Sequence, residues 1–256
     1  MQKLLASGTL ADDEAFREPL AIMEVELKAA LGAEHELSND VPLLHRFLLA
    51  RKLKVEPTLA MIEEHMKWRA ATLPVSLNPK IVSELRKGKA EVYGTDRHGR
   101  PLIIVRSARF DPKTRDLEAS VLGIVYLIEG AISSLPPGVT QFAVLYDRTD
   151  FSYRKNWDFD LLKQVFTLLS NNYPERLGAA YVYPAGKLFT WLWSLVKQFV
   201  DPRSRMKIQA LNTTAELLSM VPPEFVPLSA GGTSTHEFDP SQFDHAINDA
   251  PAVDLS

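Results

Sequence analysis

Few residues in this chain are arranged for bond-making chemistry. Two carboxylates three residues apart, Asp147 and Asp150, follow the strand-like run TQFAVLY. Acids after a strand are common cap and turn residues, because their short side chains bond nearby backbone N–H groups. Six histidines (His35, His45, His65, His98, His236 and His245) are scattered, none forms an H-x-x-x-H pair with a nearby acid, and there are no cysteines. Disulfides, thiolate chemistry and cysteine-ligated metals are therefore excluded, and metal catalysis is not expected. No G-x-G-x-x-G follows a strand, and neither a phosphate-binding G-x-x-x-x-G-K-[ST] nor a G-x-S-x-G nucleophile elbow occurs. The reading is not an enzyme. What remains is a fixed anion in an apolar setting. Glu175 and Arg176 stand at the mouth of the strand-like AAYVY, and the next segment, KLFTWLWSLVKQFVDP, is apolar over most of its circumference.

The elements that position these residues change character along the chain. Before about residue 75 everything reads as helix. REPLAIMEVELKAALG places Leu20, Met23, Leu27 and Ala30 at helical spacing, with Pro19 near the start and Gly32 past the end. SNDVPLLHRFLLARK opens with cap candidates Asn39 and Asp40 and turns Leu44, Phe47 and Leu48 inward. EPTLAMIEEHMKWRAA is a further amphipathic helix, and LPVSLNP reads as a linker. Beyond residue 85, strand and helix alternate: LIIVRSARF, a helix over 117–135, TQFAVLYD, a helix over 157–173, AAYVY, the apolar helix at 187–200, MKIQAL, TAELLSMV and an edge strand FVPLS. Such alternation predicts an α/β fold, a mostly parallel sheet covered by helices. The expected organisation is a helical lobe over 1–75, an α/β lobe over 76–232, and an acidic, weakly ordered tail over 233–256 that contains no Lys or Arg.

The helix at 187–200 carries more apolar surface than a sheet requires. At 100° per residue, Thr190, Ser194, Lys197 and Gln198 share one stripe about 100° wide, leaving roughly 260° apolar. Trp191 and Trp193 fall on opposite borders of that stripe, where indoles sit on a helix lying in a lipid interface. Burial on two sides within a large core accounts for the pattern equally well, so both readings stand at this point.

Composition narrows the partners. The chain has 256 residues, 46% hydrophobic and 24% charged, with 29 Lys and Arg against 32 Asp and Glu for a net charge of −3. These are the values of an ordinary globular protein, and the charge argues against generic polyanion binding such as nucleic acid. The apolar run after Lys3 is too short for a secretory signal, and VLGIVYLIEGAI is broken by Glu129 and too short to span a bilayer. A cytoplasmic protein, peripheral on membranes, is expected.

Six short segments together resemble the CRAL-TRIO lipid-binding domains, and within them the yeast-type phosphatidylinositol transfer proteins. They are LLHRFLLARKLKV, HMKWR, TDRHGRPLIIV, NNYPERLG, FVDPRSRMKI and VPLSAGG, in family order between about residues 40 and 232. The resemblance implies a helical N-terminal lobe and an α/β lobe whose sheet floors a pocket for one lipid, with the 187–200 helix as a gate. It implies an inositol-phosphate site made of Glu175, Lys207, Ser204 and Arg51. A carboxylate accepts from inositol hydroxyls, while Lys and Arg match the phosphodiester charge. Arg176 is expected to be a partner within the domain.

The choline side of the family pattern is altered. Phe142 and Val144 stand where a Ser and a Thr are expected, and Ile103 stands where an aromatic is expected, with Tyr93 a candidate for another aromatic position. These three apolar residues are expected as pocket wall, with poor phosphatidylcholine exchange. Phe189, Trp191, Leu192 and Trp193 are expected as gate and membrane contact. The implied function is non-catalytic transfer or presentation of phosphatidylinositol by a monomer, with a membrane surface and a phosphoinositide kinase as compatible partners and no cofactor beyond the lipid. Two alternatives are a carrier of a sterol-, tocopherol- or retinoid-like hydrophobe, and a lipid-regulated protein-interaction module.

Overall fold

The computed structural model describes residues 14–32, 35–199 and 202–244. Three helices form the N-terminal bundle: α1 (Glu14–Leu31), α2 (Val41–Ala50) and α3 (Val55–Thr72). Asp40 caps α2 by accepting from the Leu43 N–H, and Pro42 sits in the first turn, where its missing N–H costs nothing. Leu20 and Leu27 of α1, Leu44, Phe47, Leu48 and Leu49 of α2, and Met61 and Ile62 of α3 make one buried cluster. Each such side chain contributes about 1.5–3 kcal/mol on leaving water. Ala30, expected inward, is exposed, and Leu31 packs on the cluster instead.

The second half is a five-stranded sheet in the order β1-β2-β3-β4-β5, comprising Ala90–Thr95, Pro101–Arg106, Phe142–Asp147, Leu177–Tyr183 and Ile208–Ala210. β2 to β5 are parallel; β1 is an antiparallel edge strand paired to β2. The crossovers are α5 (Leu117–Ser133), then α6 (Tyr153–Asn156) with α7 (Phe159–Asn172), then α8 (Gly186–Val196) with α9 (Pro202–Lys207). The short α4 (Pro79–Arg86), capped by Asn78, begins at the last residue of the LPVSLNP linker and packs on α5.

Strand alternation sends side chains to two different cores. Ile103, Phe142 and Val144 face α5 and α7, whereas Leu102, Ile104, Ala143, Leu145, Ala179 and Tyr181 face α10 (Thr214–Met220) and the segment after it. A capping box of Thr213 and Glu216 starts α10.

Three expectations change. MKIQAL yields only a three-residue β5, because Met206 and Lys207 finish α9. FVPLS is not a strand: it lies in 3-10 turns with one bridge, Pro227 to Ser234, since its proline lacks the N–H a ladder needs. The start of the tail is a packed strap: Phe238 and Phe243 join the α4–α5 core, and His236 stacks on Tyr93 at 3.9 Å.

Candidate functional site

Four residues, 173–176, connect α7 to β4. Pro174 cannot continue the helix, and the Arg176 N–H closes the turn on the Tyr173 carbonyl at 3.2 Å. The turn places Glu175 at φ +57°, a left-handed conformation that costs a non-glycine residue about 1–2 kcal/mol. Backbone strain of this kind clusters at functional sites. The Glu175 carbonyl accepts from Gln141 Nε2 at 3.0 Å. Its carboxylate lies inside, 6% exposed, and accepts from Lys207 Nζ at 2.9 Å, with Lys207 16% exposed. Lys207 immediately precedes β5, so the parallel ladder brings together two charges separated by 32 residues.

An apolar row crosses the sheet beside this pair. Register aligns Ile103 with Val144, Val144 with Ala180, and Ala180 with Ile208, so one line of side chains spans β2 to β5 and ends next to Lys207. Phe142 lies two residues from Val144 on the same face, opposite Leu177. The structure thus brings Ile103, Phe142 and Val144 together. Tyr93 does not join them. It turns to the opposite face, against Phe225 and His236. At the other end of β3, Tyr146 shares the face of Val144; burial pushes its hydroxyl up to about 12.

The N-terminal bundle meets the sheet lobe through rings: Phe47, His65, Trp68 and Tyr173 follow one another at 5.1, 5.8 and 5.7 Å. Burial lowers the His65 pKa, opposed by a 3.3 Å contact with Asn172 Oδ1. The Tyr173 hydroxyl donates to Glu129 at 2.6 Å. Arg176 donates to the Thr140 carbonyl at 2.9 Å, in keeping with a role inside the domain. Near it stands Arg46, whose guanidinium is lowered to about 10 by burial and then by the like charge of Arg176, with Asp40 opposing. Arg51 ends α2, half-buried, and its side chain makes no hydrogen bond or ion pair among the described residues. The nearness of Arg46 to Arg176 has no local signature, since LLHRFLLARK offers both arginines alike.

Because β4 and β5 are parallel, α8 must run back from the end of β4 towards the start of β5, and the 3-10 turn after it (Lys197–Phe199) touches α7. Trp191 points to solvent, 60% exposed. Trp193 is half-buried and stacks on Phe189 at 6.1 Å and 11°, so the two indoles have different surroundings. The side chains of Ser204 and Leu192 lie outside the described residues.

Other motif residues are structural. Asp96, 2% exposed, receives the His98 and Arg100 N–H groups, the Arg100 side chain and the Tyr181 hydroxyl. A Cβ on Gly178 would meet Arg100 Nη1 at 2.6 Å, which couples the Gly-Arg-Pro turn to the start of β4. Glu84, which sequence reasoning did not single out, accepts from Lys87, Lys89, the Asp116 N–H and the Ser120 hydroxyl. Burial pushes its carboxyl up, but these partners outweigh it and hold the pKa at about 2. An open cleft of about 540 Å³ beside it is lined by Lys80, Lys87, Lys113 and Arg115. Three of these cations already pair with Asp116, Glu84 and Asp158, so the cleft is not the favoured site. Among the described residues there is no group of three metal-ligating side chains, and no helix is long and apolar enough to cross a membrane.

A family model described as CRAL/TRIO domain matches residues 85–232. Over 219 residues the chain is 30% identical to a phosphatidylinositol transfer protein, CSR1, of Eremothecium gossypii, covering 79% of this chain and 50% of that one. It is 29% identical over 216 residues to a phosphatidylinositol/phosphatidylcholine transfer protein, SFH9, of Arabidopsis thaliana, covering 76% and 37%. The chain thus spans about half, or less, of the length of these curated relatives. The crystal structure of Sfh5 superposes with a TM-score of 0.67 at 17% identity, covering 86% of this chain and 89% of that one, a likeness of fold.

Proposed function

Since this chain belongs to the CRAL/TRIO domain family, we propose that it takes up one phosphatidylinositol molecule and carries or presents it, in the manner of the yeast-type transfer proteins, without making or breaking a bond. The observation that carries this reading is the buried Glu175–Lys207 pair at the end of the apolar row Ile103–Val144–Ala180–Ile208. A lipid has the same two parts, a hydroxyl-rich anionic headgroup and apolar tails. Inositol hydroxyls donate to Glu175. Lys207 meets the phosphodiester, with Ser204 and Arg51 completing that contact and the neighbouring Arg46 and Arg176 adding positive potential.

The energetics require a sheltered wall. Two acyl chains of about 16–18 carbons cost about 25 kcal/mol in water, at ~0.8 kcal/mol per CH₂. Ile103, Phe142 and Val144 supply part of that wall. α8 acts as the gate, with Phe189 and Trp193 on its docked side and Trp191 towards the bilayer. The relatives named for phosphatidylinositol transfer support this choice of headgroup. The working place is a cytoplasmic membrane surface, visited transiently by a monomer, where a phosphoinositide kinase can receive the lipid.

Mass spectrometry of lipid carried by the freshly purified protein tests the proposal. Phosphatidylinositol is the expected ligand. A sterol, tocopherol or retinoid would instead establish the all-apolar wall as the recognition element. Absence of any hydrophobe would point to an interaction module.

A further inference from the structure

A gate needs a fastening that holds in water and gives way at a membrane. Resting on the carrier reading above, we propose that Arg148 is the latch of α8. Arg148 follows the last residue of β3, and its N–H donates to the Tyr183 carbonyl at 2.6 Å, tying the ends of β3 and β4 together. Its Nη1 donates to the Pro184 carbonyl at 3.1 Å and to the Ala185 carbonyl, and its Nη2 donates to the Tyr153 hydroxyl. The same guanidinium lies 5.1 Å from the ring centres of both Phe151 and Tyr153, and 5.6 Å from that of Phe189 in the first turns of α8. One cation therefore bridges the fixed β3–α6 loop and the helix that has to move.

Three features separate a latch from an ordinary surface arginine. Among the described residues no carboxylate pairs with Arg148. The N-terminal end of α8 carries a positive partial charge, so the helix dipole disfavours a cation there. What holds the guanidinium is a set of aromatic faces and main-chain carbonyls. The ring contacts are short-ranged and individually weak, so they release without breaking a buried ion pair. The joint they span is built for rotation: Gly186 has φ +65°, nothing lies near the position of a Cβ, and its N–H is held by Asn212 Oδ1 at 3.0 Å. The carbonyl bonds to Pro184 and Ala185 pin the joint while the Phe189 contact fastens the helix beyond it. Phe189 and Trp193 share a face, so releasing one ring frees both for a bilayer, which rewards the open state only at a membrane.

Hydrogen exchange read by mass spectrometry on wild type, Phe189→Leu and Arg148→Met tests the latch without any lipid. Amides of residues 188–196 should exchange about fivefold faster in Phe189→Leu, which corresponds to roughly 1 kcal/mol. They should exchange at least tenfold faster in Arg148→Met, while α5 and α7 keep their rates. Unchanged protection of α8 in Phe189→Leu overturns the proposal. Acceleration spread evenly over α5, α7 and α8 in both variants also overturns it, since Arg148 would then be a general structural residue. Transfer of fluorescent phosphatidylinositol between phosphatidylcholine vesicles separates the latch from the reading it rests on. Faster α8 exchange with faster transfer supports both; faster α8 exchange with unchanged transfer keeps the latch and removes α8 as the gate.

Discussion

Removing the charges of Glu175 and Lys207 singly and together distinguishes a headgroup site from a structural ion pair. Deleting one partner of a buried pair costs about 3–5 kcal/mol, because the other charge is left in a poor solvent. At 6% exposure the Glu175 carboxylate has little access to water, but Lys207 is not its sole contact, so Lys207→Met should destabilise at the low end of that range or below it. Lys207, at 16%, reaches water more easily, so Glu175→Gln should cost less. The double variant removes both desolvated charges and should recover most of the stability, since contacting residues are not additive. Lipid recognition obeys a different rule. On the proposed assignment all three variants lack a headgroup contact, so each should transfer phosphatidylinositol at least tenfold more slowly, which requires only ~1.4 kcal/mol of lost binding. Urea denaturation gives the stabilities, and transfer between vesicles gives the rates. If the double variant regains phosphatidylinositol transfer along with stability, the pair only holds β5 to β4 and the headgroup assignment is wrong.

Trp191→Ala should weaken sedimentation with vesicles about tenfold, since burying half an aromatic side chain is worth ~1.4 kcal/mol, and should leave the melting temperature unchanged. Trp193→Ala should lower the melting temperature through loss of its stack on Phe189; the opposite assignment of effects would place Trp193, and not Trp191, at the bilayer. If Ile103, Phe142 and Val144 form the proposed wall, phosphatidylcholine transfer should be slower than phosphatidylinositol transfer, and equal rates from matched vesicles would contradict this. His65 has a depressed folded pKa, so its contribution is complete above the unfolded value of about 6.5 and is lost as pH falls below it. Melts at pH 7.5 and 5.5 should show a smaller acid loss in His65→Phe than in wild type. Glu84→Gln should destabilise by about 3 kcal/mol in urea, because it leaves Lys89 buried without its anion. The stability that Glu84 contributes is present above the unfolded value of 4.5 and lost as pH falls towards about 2, so the Glu84→Gln difference should shrink in that acid range.

Local signals made much of the fold legible. Asp40 announces α2, the Leu-rich periodicity of α1 to α3 predicts a bundle, and FAVLY and AAYVY are continuous apolar runs of the kind a sheet covered on both faces requires. Residues 90–95 do not read as a strand, because Glu91 and Gly94 break the alternation. Glu91 is tolerated inside only because Arg106 and His236, 15 and 145 residues away, both reach it. The eight-residue α4 opens on Pro79, where the linker ends, and is too short for its period to show until Ile81, Val82 and Leu85 are seen against α5. Within the tail, the signal for packing was a pair of phenylalanines, Phe238 and Phe243, outweighed in the reading by the surrounding acids. The residue types of the site were visible, but their assembly was not. No property of Glu175 as a residue reveals its positive φ, and no local feature separates Arg46 from Arg51.

The sheet runs in chain order, so each new strand pairs with one already made, and the last to arrive is β5, three residues long at the outer edge. Lys207 enters with it. Until β5 docks, Lys207 is not in place beside Glu175 at the boundary of an otherwise finished sheet. Opening of this edge breaks few ladder bonds, so it lies at the low end of the local unfolding free energies of the domain, well below global unfolding. The edge that carries the Glu175–Lys207 pair is thus a low-cost place to fray. During synthesis, a chain halted before residue 207 would hold most of the sheet and its apolar row, yet lack the ammonium group that answers Glu175.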